Sequence, residues 1–247
     1  MSYSRSYLGK GTIYTRKRGI VGAPLVPMGN CSKLALEVSQ ESLDELDYEN
    51  PGGGKRQVIY QIKGVTGKLT TRNHSPLILA MGLRGTVSTP GTAAVAGEAH
   101  ADIALGSLVV FGSFPDWTKP VTVKKGASVI APANYEQRRI GMYIPAGAPG
   151  LVAGDDITVD YTPLASDVVQ PLTGGADEYV LVFDGLNEAD SGKAAAVECW
   201  RAVFSPLKSL DLINDKLGEI ELEFELLADD SISAPDESRY FRARSVK

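Results

Sequence analysis

Glu219-Ile220-Glu221-Leu222-Glu223-Phe224-Glu225-Leu226 alternates an acid with an apolar side chain without a break. A β-strand sends successive side chains to opposite faces, so this stretch is legible as a strand with two unlike sides. Glu219, Glu221, Glu223 and Glu225 share one face, and Ile220, Leu222, Phe224 and Leu226 share the other. The apolar face calls for a core, as in an antiparallel sheet packed on one side. Four acids in a row with no interleaved lysine repel one another, and glutamate is a weak strand former. The acidic face therefore points to a surface that requires negative charge.

Working outward, residues 179–184 and 194–204 are further apolar β runs, and 207–217 reads as the loop that leads into the acidic strand. On the N-terminal side, residues 31–38 alternate, with Leu34, Leu36 and Val38 on one face. Residues 58–71 read as one long strand or a bent pair around Gly64 and Gly67. Between them, residues 39–56 read as a polar loop, acidic from Glu41 to Glu49 and closing with Pro51-Gly52-Gly53-Gly54-Lys55-Arg56. A loop of that length is expected to be functional or ordered by a partner. Residues 1–30, with the basic cluster Arg5, Lys10, Arg16, Lys17 and Arg18 broken by glycines and prolines, read as an arm and a loop. The best helix signal is Ser75 as N-cap, Pro76 at the first position, apolar 77–83 and Gly85 as the stop.

From residue 86 to 165 the texture changes to glycine-, alanine- and threonine-rich sequence with short β runs at 103–111, 121–123, 128–130, 139–144 and 157–161. The expected fold class is thus mainly β (α+β): an antiparallel β-sandwich or barrel with one short flanking helix and a β-rich insertion. The expected divisions are 1–85, the insertion 86–165, and 166–247.

The chain has 247 residues, 25 Lys plus Arg against 30 Asp plus Glu, a formal net charge of −5 and 43% hydrophobic residues. That supports a sizeable core and argues against a nucleic-acid binder, which needs a basic surface. The N-terminus has no apolar segment of signal-peptide type and no stretch approaches a membrane span, so a soluble chain made in a cytoplasm is expected, with Cys31 and Cys199 reduced. Two histidines and two cysteines are a poor metal inventory. His100 with Glu98 and Asp102 is the nearest approach to a metal cluster, and His74 stands before the helix cap. Gly106-Ser107-Leu108 and Gly112-Ser113-Phe114 lack the pattern of a nucleophile elbow. Gly52-Gly53-Gly54-Lys55 lacks the rest of a phosphate loop. No enzyme activity, cofactor or metal is expected.

Three stretches carry a resemblance to the major tail tube proteins of long-tailed (siphovirus-type) bacteriophages. Near the start, Gly9-Lys10-Gly11-Thr12-Ile13-Tyr14 and Gly29-Asn30-Cys31-Ser32-Lys33-Leu34 are similar to that family's opening strand, loop and next strand. In the middle, Gly67-Lys68-Leu69-Thr70 leading to Ser75-Pro76-Leu77 resembles its strand-to-helix junction. At the end, Phe183-Asp184-Gly185-Leu186-Asn187, Val203-Phe204-Ser205-Pro206, the acidic strand and Pro235-Asp236-Glu237-Ser238-Arg239-Tyr240-Phe241 resemble its C-terminal half. The resemblance implies hexameric rings stacked into a virion tail tube. Inner strands would join into a continuous barrel, with a tape-measure protein in the lumen before DNA passes, and terminator and tip proteins at the ends. The insertion would face outward. The inner tube of a contractile tail shares these features, and a β-sandwich binding module is a third reading.

On this reading Glu219, Glu221, Glu223 and Glu225 line the lumen and repel phosphate, so that double-stranded DNA slides without binding. Arg5, Lys10, Arg16, Lys17 and Arg18 are expected to meet Glu41, Asp44, Glu45, Asp47 and Glu49 of the ring above or below, a head-to-tail pairing of unlike surfaces.

Overall fold

The computed structural model describes residues 6–246, which form two compact units. The first comprises the chain up to Val87 and from Val169 onward; the second is Ser88–Val168. In chain order the first unit begins with β1 (Gly9–Lys17), β2 (Val26–Pro27), β3 (Cys31–Leu46), β4 (Lys55–Thr71), helix α1 (Pro76–Leu83) and β5 (Thr86–Ser88). The second unit holds β6 (Val95–Ile103), β7 (Ser107–Val110), β8 (Thr122–Lys125), β9 (Ser128–Ile130), β10 (Glu136–Arg138), β11 (Gly141–Ile144) and β12 (Asp155–Tyr161). The chain then returns through β13 (Val168–Gln170), β14 (Glu178–Asn187), β15 (Lys193–Phe204), β16 (Ile220–Leu226) and β17 (Phe241–Ser245). The protein is mainly β, its characterised strand pairs antiparallel, with α1 as the α-helix among the described residues.

One eight-stranded sheet builds the first unit, in the order β2-β1-β14-β15-β16-β4-β3, with β17 pairing the first half of β15. Its terminal strands β2 and β3 are joined by only residues 28–30. Met28 N donates to Ile13 O, and Thr71 Oγ1 donates to Met28 O at 3.1 Å. The sheet therefore curls until its two ends meet at Met28, which is fully buried, giving a barrel-like wrap around one core. Leu69, Ile78, Leu181, Ala202, Leu222, Phe224 and Leu226 fill that core. The helix covers it, as expected. Its N-cap is Ser75, and its left-handed C-terminal residue is Arg84 (φ 45°), one before the expected Gly85. Arg84 holds that conformation while its guanidinium donates twice to Phe204 O, at 3.2 and 3.3 Å.

Two segments expected to lack packed structure are strands. β1 pairs with β14 over its whole length, from Gly9↔Asn187 to Lys17↔Tyr179. It buries Ile13 and Thr15. Residues 39–56 are mostly ladder: β3 continues to Leu46 and β4 begins at Lys55, so the true turn is 47–54. Asp47 organises that turn by accepting from Glu49 N, Asn50 N and Asn50 Nδ2. Gly52, Gly53 and Gly54 supply positive φ angles there, which side chains with a Cβ adopt at a cost. The C-terminal β17 also forms where the sequence suggested only a tail.

The second unit spans Ser88–Val168, against the expected 86–165, and packs sheets β10-β11-β7 and β6-β12-β8-β9 around a core that includes Met142, Ile144, Ile157 and Val159. The expected run 103–111 is two strands, because Gly106 (φ 71°) turns the chain between β6 and β7.

Candidate assembly surfaces

In β16 the alternation is realised side chain by side chain. Ile220, Leu222, Phe224 and Leu226 are buried, while Glu221 and Glu225 are exposed and Glu223 is half-buried. Glu219 lies one position before the strand and lines one groove with Glu221 and Glu223. The acidic face differs from a bare wall of carboxylates. Glu223 meets Lys208 Nζ at 2.7 Å and Lys68 Nζ at 3.2 Å. Those two lysines, Lys208 first, hold its carboxyl below the usual glutamate range. Glu219 Oε1 accepts from Arg72 Nε and Nη2, both at 2.8 Å. Lys68 of the neighbouring strand and Lys208 of the loop before β16 thus supply Glu223 with the opposite charge that β16 itself lacks, and an open groove of about 520 Å³ runs among Lys33, Lys68, Lys208, Glu221 and Glu223. Among the described residues, Glu221 and Glu225 form no ion pair within 4 Å.

The second surface is the outer part of the β3–β4 hairpin. Beyond Gly64 only β3 and β4 pair with each other, forming a two-stranded arm. The register places Gln40, Ser42 and Asp44 opposite Ile62, Tyr60 and Val58 on one face, and Leu43 opposite Ile59 on the other. Tyr60 and Ile62 are 66% and 63% exposed, and Leu43, Leu46, Ile59 and Tyr48 are exposed as well. The acids expected to meet a neighbouring ring are here: Asp44 pairs with Lys55 at 2.6 Å, Glu41 with Lys63, and Glu49 with Arg56 at 3.3 Å. Glu45 and Asp47 have no cationic partner among the described residues. The apolar row of β4 was visible in the sequence as the alternation Val58, Tyr60, Ile62, and the strand was assigned, but its lack of a covering layer was not legible there.

The third surface is the basic cluster, which the structure disperses. Arg5 lies outside the described residues. Lys17 pairs with Asp177 at 2.7 Å, and Arg18 bridges Glu178 at 3.0 Å and Asp229 at 2.9 Å. Arg201 grips the same Glu178 with Nε at 3.0 Å and Nη2 at 2.6 Å. Arg18 therefore belongs to an internal network that ties β1, β14, β15 and the segment after β16. Lys10 and Arg16 remain exposed with no acidic partner among the described residues.

The residues singled out in the sequence for possible chemistry make local contacts. Lys55 closes the arm's turn, His74 Nδ1 lies 3.4 Å from Arg72 O, and Glu98 accepts from Gly112 N and from the Tyr161 hydroxyl, with His100 Nε2 at 3.2 Å. Burial, followed by the bond to Glu98, pushes the Tyr161 hydroxyl up to about 12. Among the described residues no three His, Cys, Asp or Glu side chains gather as a metal site would need. No helix of the described residues is long and apolar enough to cross a membrane.

A family described as Protein of unknown function UCP028589 matches residues 6–244. The chain belongs to this family. The match runs through the arm, the second unit and the C-terminal strand, so in UCP028589 these parts occur together in one chain. No curated protein matches the sequence.

Proposed function

We propose that this UCP028589 member is a self-assembling structural subunit, building a tube of stacked hexameric rings of the kind formed by phage tail tube proteins, for the passage of DNA. The observation that carries the reading is the arm. A two-stranded ribbon is marginal in water by itself, and this one extends from the barrel with large apolar side chains uncovered on both faces. Ribbons of this kind, if left free, template association through their edges and apolar rows. An assembly that covers them on every subunit accounts for their retention. The resemblance in the sequence supplies the kind of assembly. In it the β16 face turns to the lumen, the second unit points outward, and a tape-measure protein and end-capping proteins are the partners.

Electron microscopy of the concentrated protein tests this. Rings with six-fold class averages, or tubes, are expected from the unmodified chain. Tyr60→Lys combined with Ile62→Lys is expected to remain folded and monomeric, since both side chains are already in solvent. A chain that sediments as a monomer at every concentration would refute the proposal. In a map of the assembly, Glu221 and Glu225 on the outer wall would remove the lumen assignment alone.

A further inference from the structure

β15 carries one residue more than β14 where the two strands pass Val180. Tyr179 pairs with Ala202 and Leu181 with Cys199, so Trp200 and Arg201 together oppose Val180. Such a bulge re-aims side chains. Arg201 reaches Glu178 in the ion network, and Trp200 lines a groove of about 570 Å³ on the outer face of the first unit's sheet. Val180 and Val182 of β14 form the floor beside Trp200, and Ile20, Val21 and Leu25 of the β1–β2 turn form a wall. Val21 is fully exposed and Ile20 is 54% exposed, so the wall's apolar surface stands in water. The indole is held in place: its Nε1 donates to Ser238 O at 3.0 Å, and the Arg242 guanidinium lies 5.5 Å from the ring centroid.

The charges lining the groove are paired, with one exception. Lys17 meets Asp177 at 2.7 Å, Arg18 bridges Glu178 and Asp229, and Glu198 holds Arg242 and Arg244. Arg16, opposite Val180 in the β1–β14 ladder, has no acidic partner among the described residues. The backbone is committed as well. β14 is bonded to β1 on one side and β15 on the other, and at the bulge Trp200 N donates to Tyr240 O at 3.1 Å. We infer that the groove binds a small amphipathic anion, an alkyl or aryl carboxylate, whose body lies on Val180, Val182 and Trp200 and whose charge meets Arg16. Each part of that ligand answers an observation. An apolar body removes water from the floor and the wall. One guanidinium without a partner calls for one anionic group, and its fork matches the two oxygens of a carboxylate. A peptide fits less well, because its N–H and C=O groups would be covered by a floor with no free backbone partner, and leaving them unpaired is costly. A sugar's hydroxyls meet the same objection, and a nucleic acid needs several free cations. The volume lies within the roughly 300–1,000 Å³ of small-molecule sites.

Decanoate and decyltrimethylammonium share an alkyl body and differ in charge. Each is titrated into the full chain in dilute solution at neutral pH, below its own micelle concentration, and binding is followed by calorimetry and tryptophan fluorescence. The site does not depend on the self-assembly reading, so the titration stands whether or not tubes form. The other tryptophan, Trp117, belongs to the second unit, and Trp200→Phe identifies which indole responds. Decanoate is expected to saturate one site, to change the Trp200 emission and to bind more tightly than the ammonium. Arg16→Gln is expected to raise the decanoate Kd by roughly three- to tenfold and to remove most of the preference over the ammonium. Val182→Asp, which places a charge on the floor, is expected to abolish binding. Thermal melts check that the variants are folded, and Val182→Ser, a milder change, is expected to weaken binding where the aspartate variant does not fold. The groove is not such a site if decanoate fails to saturate, if the two amphiphiles bind equally, or if the Arg16 or Val182 variants bind decanoate as the unmodified chain does.

Discussion

Gly67 shows how closely single residues are specified. It lies opposite Phe224 in the β4–β16 ladder, and a Cβ there would stand 2.3 Å from Phe224 Cζ, far closer than contact distance. That ring is buried and packs against Phe204 at 5.5 Å between centroids. Gly67→Ala is expected to cost about 1–3 kcal/mol through overpacking, read as a lower denaturant midpoint. Adding Phe224→Leu should give a double variant that loses less than the sum of the two single changes, because the second change makes the room the first one needs. The ion network around Glu178 gives a second residue-level expectation. Hydrogen bonding from Arg201, then from Arg18, holds the Glu178 carboxyl below its usual range. Burial opposes ionisation of Asp229, yet the bonds from Ser231 and the charges of Arg18 and Arg201 leave its pKa lowered. Folded-state values below the unfolded ones mean stability that is present above about pH 4 and lost as pH falls through the depressed values. Arg201→Gln is therefore expected to move the acid-unfolding midpoint to higher pH, followed by circular dichroism, with a smaller loss at pH 4 than at pH 7.

At the scale of elements, legibility followed burial. β16 was readable because one face is buried and the other is not, which writes a period of two into the sequence. Ser75 and Pro76 marked the helix for a local reason, the capping of its first turn. The outer part of β3 was not readable because both of its faces are exposed, so no side of Glu41, Ser42, Leu43, Asp44 and Glu45 is selected for apolarity. β1 escaped because its charged ends resemble a tail while its partner is β14. Of the candidate surfaces, the glutamate row was visible, but the pairing of Glu223 with Lys68 and Lys208 and of Glu219 with Arg72 was not, since those cations come from other segments. The arm supports a prediction of its own. With few buried contacts, its amides at 38–46 and 55–63 should exchange with solvent faster than those of β16 in the monomer. They should become protected on assembly, measured by hydrogen exchange; equal protection in both states would show that assembly leaves the arm uncovered.

At the scale of the whole molecule, two separate cores predict two separate unfolding events. Met142 and Leu222 are each fully buried, one in each core. Met142→Ala is expected to lower the stability of the Ser88–Val168 unit by about 2–5 kcal/mol and leave the other transition in place. Leu222→Ala should do the reverse, and differential scanning calorimetry distinguishes them. One transition that moves as a whole with either substitution would show that the cores unfold together.

The pairing of β1 with β14 also sets a schedule. Leu8 N bonds the Asn187 side chain 179 residues further along, and β1 has no other long partner in its sheet. A ribosome adding about 5–20 residues per second reaches β14 on the order of ten to thirty-five seconds after β1 leaves it. During that wait the β3–β4 hairpin and the whole second unit, whose partners are close in sequence, have time to form. β1, made early, is thus among the last strands to be enclosed, and the nascent chain carries a finished arm before it owns a finished barrel.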